Sequence, residues 1–202
     1  MTDVLVFDYD GVLADTEPLH WRSWRALLAR YDVPFSWEEY WKVWRGVSDA
    51  DMLEDFRERV ALTDGSELLR QNDERKRLVC RWSLAEIPIP QATIALLSTL
   101  GAYRIGLVTS SERPDVEPIL RASGIYEHFD AMAFGEDVAA HKPAPDPYLL
   151  IAQKLGVSTG IAFEDSQSGA ESALAAGFKV VRIEHPKELA QVVARSLHQT
   201  TL

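Results

Sequence analysis

The chain has a single cysteine, Cys80. A lone thiol excludes an intramolecular disulfide and a thiolate metal cluster, and it suits a reducing compartment. Positive charge is also scarce: 21 Lys and Arg stand against 31 Asp and Glu, for a formal net charge of -10. With no basic stripe to offset it, that charge repels nucleic acid and anionic membrane surfaces, so neither is an expected partner. No window approaches the roughly 18 uninterrupted apolar residues of a membrane-spanning helix. The opening MTDVLVF carries no basic segment ahead of its apolar run, and a cytoplasmic location is the expectation. The five histidines (His20, His128, His141, His185, His198) are scattered, with no H-x-x-x-H pair to suggest zinc.

The 202 residues are 47% hydrophobic and 26% charged, enough to build a sizeable core under a hydrated surface. Val4 to Phe7 is a short run of β-formers that reads as a buried strand. The same type recurs in RIGLVTS at 104–110, GIAFED at 160–165 and KVVRI at 179–183, with a weaker candidate, AMAF, at 131–134. Helical patterns lie between them at Gln91–Leu100, Asp115–Ser123, Asp146–Leu155 and Gln167–Ala176, each followed by a glycine able to supply a left-handed cap. Strands alternating with helices imply βαβ crossovers, hence a Rossmann-like three-layer α/β/α core around a parallel sheet.

Residues 16–86 break the alternation, with helical patterns and no convincing strand. Ser36 and Glu39 form an S-x-x-E capping pattern, Pro18 suits a first helical turn, and Ser48 can cap the run to Val60. All six tryptophans (Trp21, Trp24, Trp37, Trp41, Trp44, Trp82) fall in this segment and are expected to form its core. The segment reads as a helical domain inserted into an α/β core made of 1–15 and 87–202.

The strand ends carry the chemistry. In VLVFDYDG, Asp8 and Asp10 share one face if the strand persists to its end, and Gly11 allows a sharp turn beside them. Ligands of parallel α/β sheets bind beyond the carboxyl ends of the strands. RIGLVTS ends there in the hydroxyls of Thr109 and Ser110, and GIAFED in Glu164 and Asp165. Four crowded carboxylates repel one another unless a cation joins them. A hard divalent ion fits oxygen ligands, and Mg²⁺ suits a few carboxylates plus substrate phosphate; the ligand loop typical of Ca²⁺ is absent. Lys142, in AAHKPAPDP, could offset charge on a nucleophile and a phosphate together, while Asp146 is placed to cap the next helix.

In order along the chain, DYDGV, VTS, KPAPD and FEDSQSG resemble the four motifs of the haloacid dehalogenase superfamily. DTEPLHWRSW, RGVS and KPAPDPY further resemble the branch that holds β-phosphoglucomutase, phosphoglycolate phosphatases and sugar-phosphate phosphatases, which has a helical cap after the first strand. The resemblance implies that Asp8 is the nucleophile and Asp10 the general acid and base. It also implies Mg²⁺ held by Asp8, the Asp10 backbone carbonyl, and Glu164 or Asp165. Thr109, Ser110, Gly11 and Lys142 would hold the phosphoryl group, with His20 of the cap near the substrate; Arg45, just before Gly46, is a further candidate to reach the substrate, with a surface charge as the alternative. The cap is expected to close over the sheet edge about hinges near Asp15–Thr16 and Glu86–Ile87.

A small phosphorylated metabolite is the implied partner, and a monomer is the expectation for oligomeric state. Dehalogenation is disfavoured, because departing halide needs no proton and those relatives lack an aspartate at the place of Asp10. A mutase is the alternative to a phosphatase. It needs a cation for the non-reacting phosphate, and here Asp49 follows the serine of GVS where those mutases carry arginine. Gln71 stands near the place of their cap lysine, with Arg75 and Lys76 as substitutes. A non-catalytic sensor of a phosphorylated ligand is a third reading.

Overall fold

The computed structural model describes residues 4–45, 47, 49–60 and 65–199. Its strands are β1 (Val4–Phe7), β2 (Arg104–Val108), β3 (Ala131–Ala133), β4 (Ile161–Glu164) and β5 (Lys179–Arg182). The helices are α1 (Glu17–Leu28), α2 (Trp37–Glu39), α3 (Asp49–Arg59), α4 (Gly65–Ala85), α5 (Gln91–Thr99), α6 (Arg113–Ala122), α7 (Asp146–Leu155), α8 (Gln167–Ala175) and α9 (Leu189–Gln199). The chain divides into two compact units, 1–15 with 87–202 and 16–86.

All five strands are parallel, in the order β3-β2-β1-β4-β5. Every residue of β1 is buried, as the middle strand of a sheet covered on both faces must be. Alternate side chains feed two cores. Leu5, Phe7, Ile105, Leu107, Ile161 and Phe163 pack with residues of α5, α6 and α9. Val4, Val6, Val108, Ala133 and Ala162 pack with α7 and α8 on the other face, which completes a three-layer α/β/α fold. Gly106 allows α7 its close approach, since a Cβ there would sit 2.9 Å from Ile151 Cγ1.

Register positions the site. Phe7 lies opposite Leu107 on one side and Phe163 on the other, so Asp8, Val108 and Glu164 arrive level at the carboxyl edge. The chain runs from β1 outward to β2 and β3, then crosses to β4 on the far side of β1. The crevice between β1 and β4 is therefore the switch point where such sheets bind ligands.

The strands stop earlier than their apolar runs suggest, at Val108 and Glu164 rather than 110 and 165. β1 likewise ends at Phe7, so Asp8 and Asp10 do not share a strand face. Instead Tyr9–Ala14 folds into a tight turn, in which Tyr9 O accepts from Leu13 N at 3.0 Å and Ala14 N at 2.9 Å. Asp146 is the first residue of α7 rather than its cap, a position Pro145 takes; it places a negative charge in the first turn. Gly124, Gly156 and Gly177 take positive φ after their helices, whereas Gly101 does not, because Leu100 N closes that end on Leu97 O.

Of the six tryptophans of the helical unit only Trp24 and Trp44 are buried, packed with Phe35, Tyr40, Met52 and Phe56. Trp37 and Trp41 are 38% and 41% exposed, which corrects the expectation of a six-tryptophan core. They sit four residues apart across α2 and the π-helical turn Tyr40–Trp44 that continues it, with ring centroids 5.3 Å apart and planes tilted by 35°. Half of the expected capping pattern forms: Ser36 Oγ accepts from Glu39 N at 3.0 Å, while the Glu39 carboxylate pairs with Arg59 instead. Ser48 and Gly46 lie outside the described residues. The two passages of chain at the edge of the α/β unit run side by side, with Asp15 N donating to Pro88 O at 2.8 Å.

Candidate active site

Asp8 follows β1 directly and is anchored there by its N–H, which donates to Phe163 O at 3.1 Å. Its side chain is only 9% exposed, and Lys142 Nζ donates to its Oδ1 at 2.8 Å. The same ammonium donates to Glu164 Oε1 at 2.6 Å and to Val108 O at 3.3 Å. An ammonium has three protons, and here three acceptors take them. Lys142 is thus a buried cation joining the tips of β1, β2 and β4.

Glu164 is fully buried, and Tyr148 Oη donates to its Oε1 at 2.7 Å. Asp165, also buried, lies against Gly11, where a Cβ would fall 2.1 Å from its Oδ2. Gly11 also has φ +74°, so both its backbone and the adjacent carboxylate require glycine. Arg182, on β5, donates to the backbone carbonyls of Asp165 and Ser166, tying down the tip of β4.

Asp8, Glu164 and Asp165 each offer a carboxylate oxygen within 4.8 Å of the other two. Three carboxylates around one ammonium leave two negative charges uncompensated when all ionise. Hard oxygen donors with excess negative charge fit a divalent cation such as Mg²⁺. The Asp10 carboxylate is not part of this cluster; its Oδ2 accepts from Ser111 Oγ at 2.7 Å.

Electrostatics follow from burial. Desolvation is the main force raising the Asp8 carboxyl well above the usual carboxylate range; Lys142 opposes it, while Glu164, Asp165 and Asp10 reinforce it. Burial also disfavours the Lys142 ammonium, but Asp8 and Glu164 outweigh that and hold its pKa above the ordinary lysine value. Burial, then the Glu164 charge, raises the Tyr148 hydroxyl well above its usual value, which keeps it a donor.

Thr109 is buried beside the cluster's strands, and its Oγ1 accepts from Ser111 N at 3.0 Å, a bond that does not use its hydroxyl proton. Ser110 is exposed, and its carbonyl lies where a Cβ on Gly135 would approach to 2.4 Å. His20 lies half-buried on α1 of the helical unit, and Arg45 ends the π-helical turn with its guanidinium 4.3 Å above the Trp41 ring. Ser111 and Tyr148 went unassigned in the sequence, though Ser111 extends the VTS run and Tyr148 ends KPAPDPY.

Comparison with known proteins agrees with this arrangement. The family model for haloacid dehalogenase-like hydrolases matches residues 2–177. The phosphorylated carbohydrates phosphatase of Thermotoga maritima is 31% identical, over 88% of this chain and 82% of its own length. The fructose-1-phosphate phosphatase YqaB of Escherichia coli is 29% identical, over 89% and 95% respectively. The β-phosphoglucomutase of Bacillus subtilis is 28% identical, over 98% and 91%. With its parallel sheet, its buried aspartate at the first strand tip and a match across most of its length, the chain belongs to the haloacid dehalogenase-like hydrolase family.

Proposed function

We propose that the protein is a Mg²⁺-dependent phosphatase that hydrolyses a small phosphorylated carbohydrate through an aspartyl-phosphate on Asp8. The observation that carries the reading is the buried Asp8 carboxylate, with Oδ1 held by Lys142 and a second aspartate, Asp10, held nearby by Ser111. Lys142 occupies Oδ1, which leaves Oδ2 as the attacking atom. It forms a bond to phosphorus as the bond from phosphorus to the sugar oxygen breaks, and Asp10 gives that oxygen its proton. In the second half, Asp10 takes a proton from water as the water oxygen attacks the phosphoryl group, releasing phosphate and restoring Asp8.

Asp8, Asp165 and the Asp10 carbonyl would hold the metal ion, with Glu164 adjoining. A bound divalent ion supplies charge neutralisation at the phosphoryl oxygens. Thr109 contributes its hydroxyl proton and the residues around Ser110 their N–H groups to the same oxygens. On the family resemblance, His20 of the helical unit contributes to substrate selection, with Arg45 as a second candidate.

Hydrolysis is favoured over the mutase reaction by how the helical unit uses its charges. Arg75, a candidate anchor for a second phosphate, is 3% exposed and lies 4.1 Å from the centroid of Trp24. Its Nε donates to Asn72 Oδ1 at 2.9 Å, its Nη1 to Ser23 Oγ at 3.0 Å, and its Nη2 to Asp49. The pair offsets the negative charge that Asp49 brings to the place where those mutases carry arginine. It equally commits Arg75 inside its own unit.

The test is phosphate release from a panel of sugar phosphates with Mg²⁺, beside Asp8→Asn as the control for contaminating activity. Release that depends on Asp8 and is lost on chelation is the expected result. Interconversion of sugar 1- and 6-phosphates without free phosphate would replace hydrolysis by the mutase reaction.

A further inference from the structure

We propose that Tyr148 is a positioning residue for phosphoryl transfer, acting through Glu164 to aim the Lys142 ammonium at Asp8; this rests on the reading of Asp8 and Lys142 given above. Tyr148 is completely buried on α7, its ring 5.5 Å from that of Phe178 in the second core. Phenylalanine would fill the same volume, so packing alone does not account for the hydroxyl. Burying a hydroxyl is unfavourable unless it is bonded, and the bond it makes here is to Glu164 Oε1 at 2.7 Å.

That oxygen is the one to which Lys142 donates at 2.6 Å. The other oxygen of Glu164 has Ser166 Oγ 3.4 Å away and is walled by Gly169, where a Cβ would fall 2.1 Å from Oε2. Glu164 is therefore gripped at one oxygen and confined at the other. A fixed carboxylate is a useful partner for lysine, whose four-carbon stem has no preferred fork geometry. With Glu164 and Val108 O taking two of its protons, the third is directed to Asp8 Oδ1, leaving Oδ2 free for phosphorus. Lys142 Nζ also lies 5.6 Å from the Tyr148 ring centroid, so ring and hydroxyl bound the same small volume.

Tyr148→Phe keeps the packing and removes only the bond. Glu164 Oε1 then keeps one donor instead of two, and the ammonium loses its fixed stop. A hydrogen bond to a charged group is strong enough that kcat is expected to fall about tenfold, with KM changed less than about twofold. An independent readout is the ¹⁵N–¹H correlation of the Lys142 side-chain ammonium. It is expected to be resolved and slowly exchanging in the parent protein and to exchange about tenfold faster in Tyr148→Phe.

A variant that unfolds earlier but keeps the parent kcat and the parent ammonium signal would make Tyr148 a packing residue and overturn the proposal. If the parent releases no phosphate from any substrate, the phosphatase reading fails. The ammonium signal then still decides whether Tyr148 positions Lys142.

Discussion

Replacing Lys142 by methionine keeps most of the side-chain volume and deletes the cation between Asp8 and Glu164. Side chains of all three residues are 9% exposed or less, so solvent screens the loss poorly. Breaking a buried ion pair by removing one partner costs about 3–5 kcal/mol, because the remaining charge is left uncompensated. In a chain of this length that lowers Tm by roughly 6–20 °C.

The pH dependence makes the prediction specific. Asp8 already has a raised folded-state pKa, from burial first and the neighbouring carboxylates next, and Lys142 is what opposes the shift. Between its unfolded and folded pKa the folded protein holds the extra proton, so stability falls as pH rises. Without Lys142 that window extends upward, and each additional proton held on folding contributes a slope of about 1.4 kcal/mol per pH unit. In the parent, Lys142 has a raised pKa and its contribution is fully present below about 10.5, so it adds no slope across neutral pH.

Thermal unfolding in EDTA at pH 5.5 and 8.5 should therefore show Lys142→Met close to the parent at the lower pH and far below it at the higher. Added Mg²⁺, a replacement cation, should narrow the gap. Equal Tm values for variant and parent at pH 8.5, with parallel pH profiles, would show that Lys142 is not the charge that holds this cluster together.

Three further outcomes follow from the same geometry. Gly11→Ala should cost about 1–2 kcal/mol from its left-handed backbone alone, and the 2.1 Å approach of its Cβ to Asp165 should also weaken the Mg²⁺-induced rise in Tm; calorimetry with and without Mg²⁺ checks both. Ser111→Ala removes the hydroxyl that donates to the Asp10 carboxylate at 2.7 Å, and single-turnover kinetics should show both the phosphorylation and the hydrolysis steps slowed by about tenfold. Because Mg²⁺ must displace the proton that burial favours on Asp8, its stabilising effect should grow with pH from 5 to 8 and vanish with chelator, as thermal-shift titrations would show.

Much of the site is legible in the sequence alone. Apolar runs ending in Asp8, in Thr109 and in Glu164 with Asp165 place polar groups at strand ends by local rules, since buried strands need β-formers and their tips meet solvent. Parallel crossovers then bring those tips to one edge. The motif order identified Lys142 by resemblance, although its own loop gave no reason to bury it. Partners far apart in the chain were not legible: Ser111 and Asp10 are 101 residues apart, and Lys142 and Asp8 are 134 apart.

Local pattern also misled where two environments share one composition. The six tryptophans look alike in sequence, yet Trp24 and Trp44 are buried while Trp37 and Trp41 face outward. Asp49 reads as a free anion until Arg75, 26 residues on, folds against it. The sequence by itself determined the α/β alternation, the inserted helical segment and the acidic strand tips, because each follows from periodicity and residue type over a few neighbouring positions. Only the tertiary structure decided that Asp8 is buried against Lys142, that Tyr148 grips Glu164 and that Asp10 lies in a turn rather than on the strand. Those facts depend on register and on packing between distant segments, which no short stretch of chain encodes.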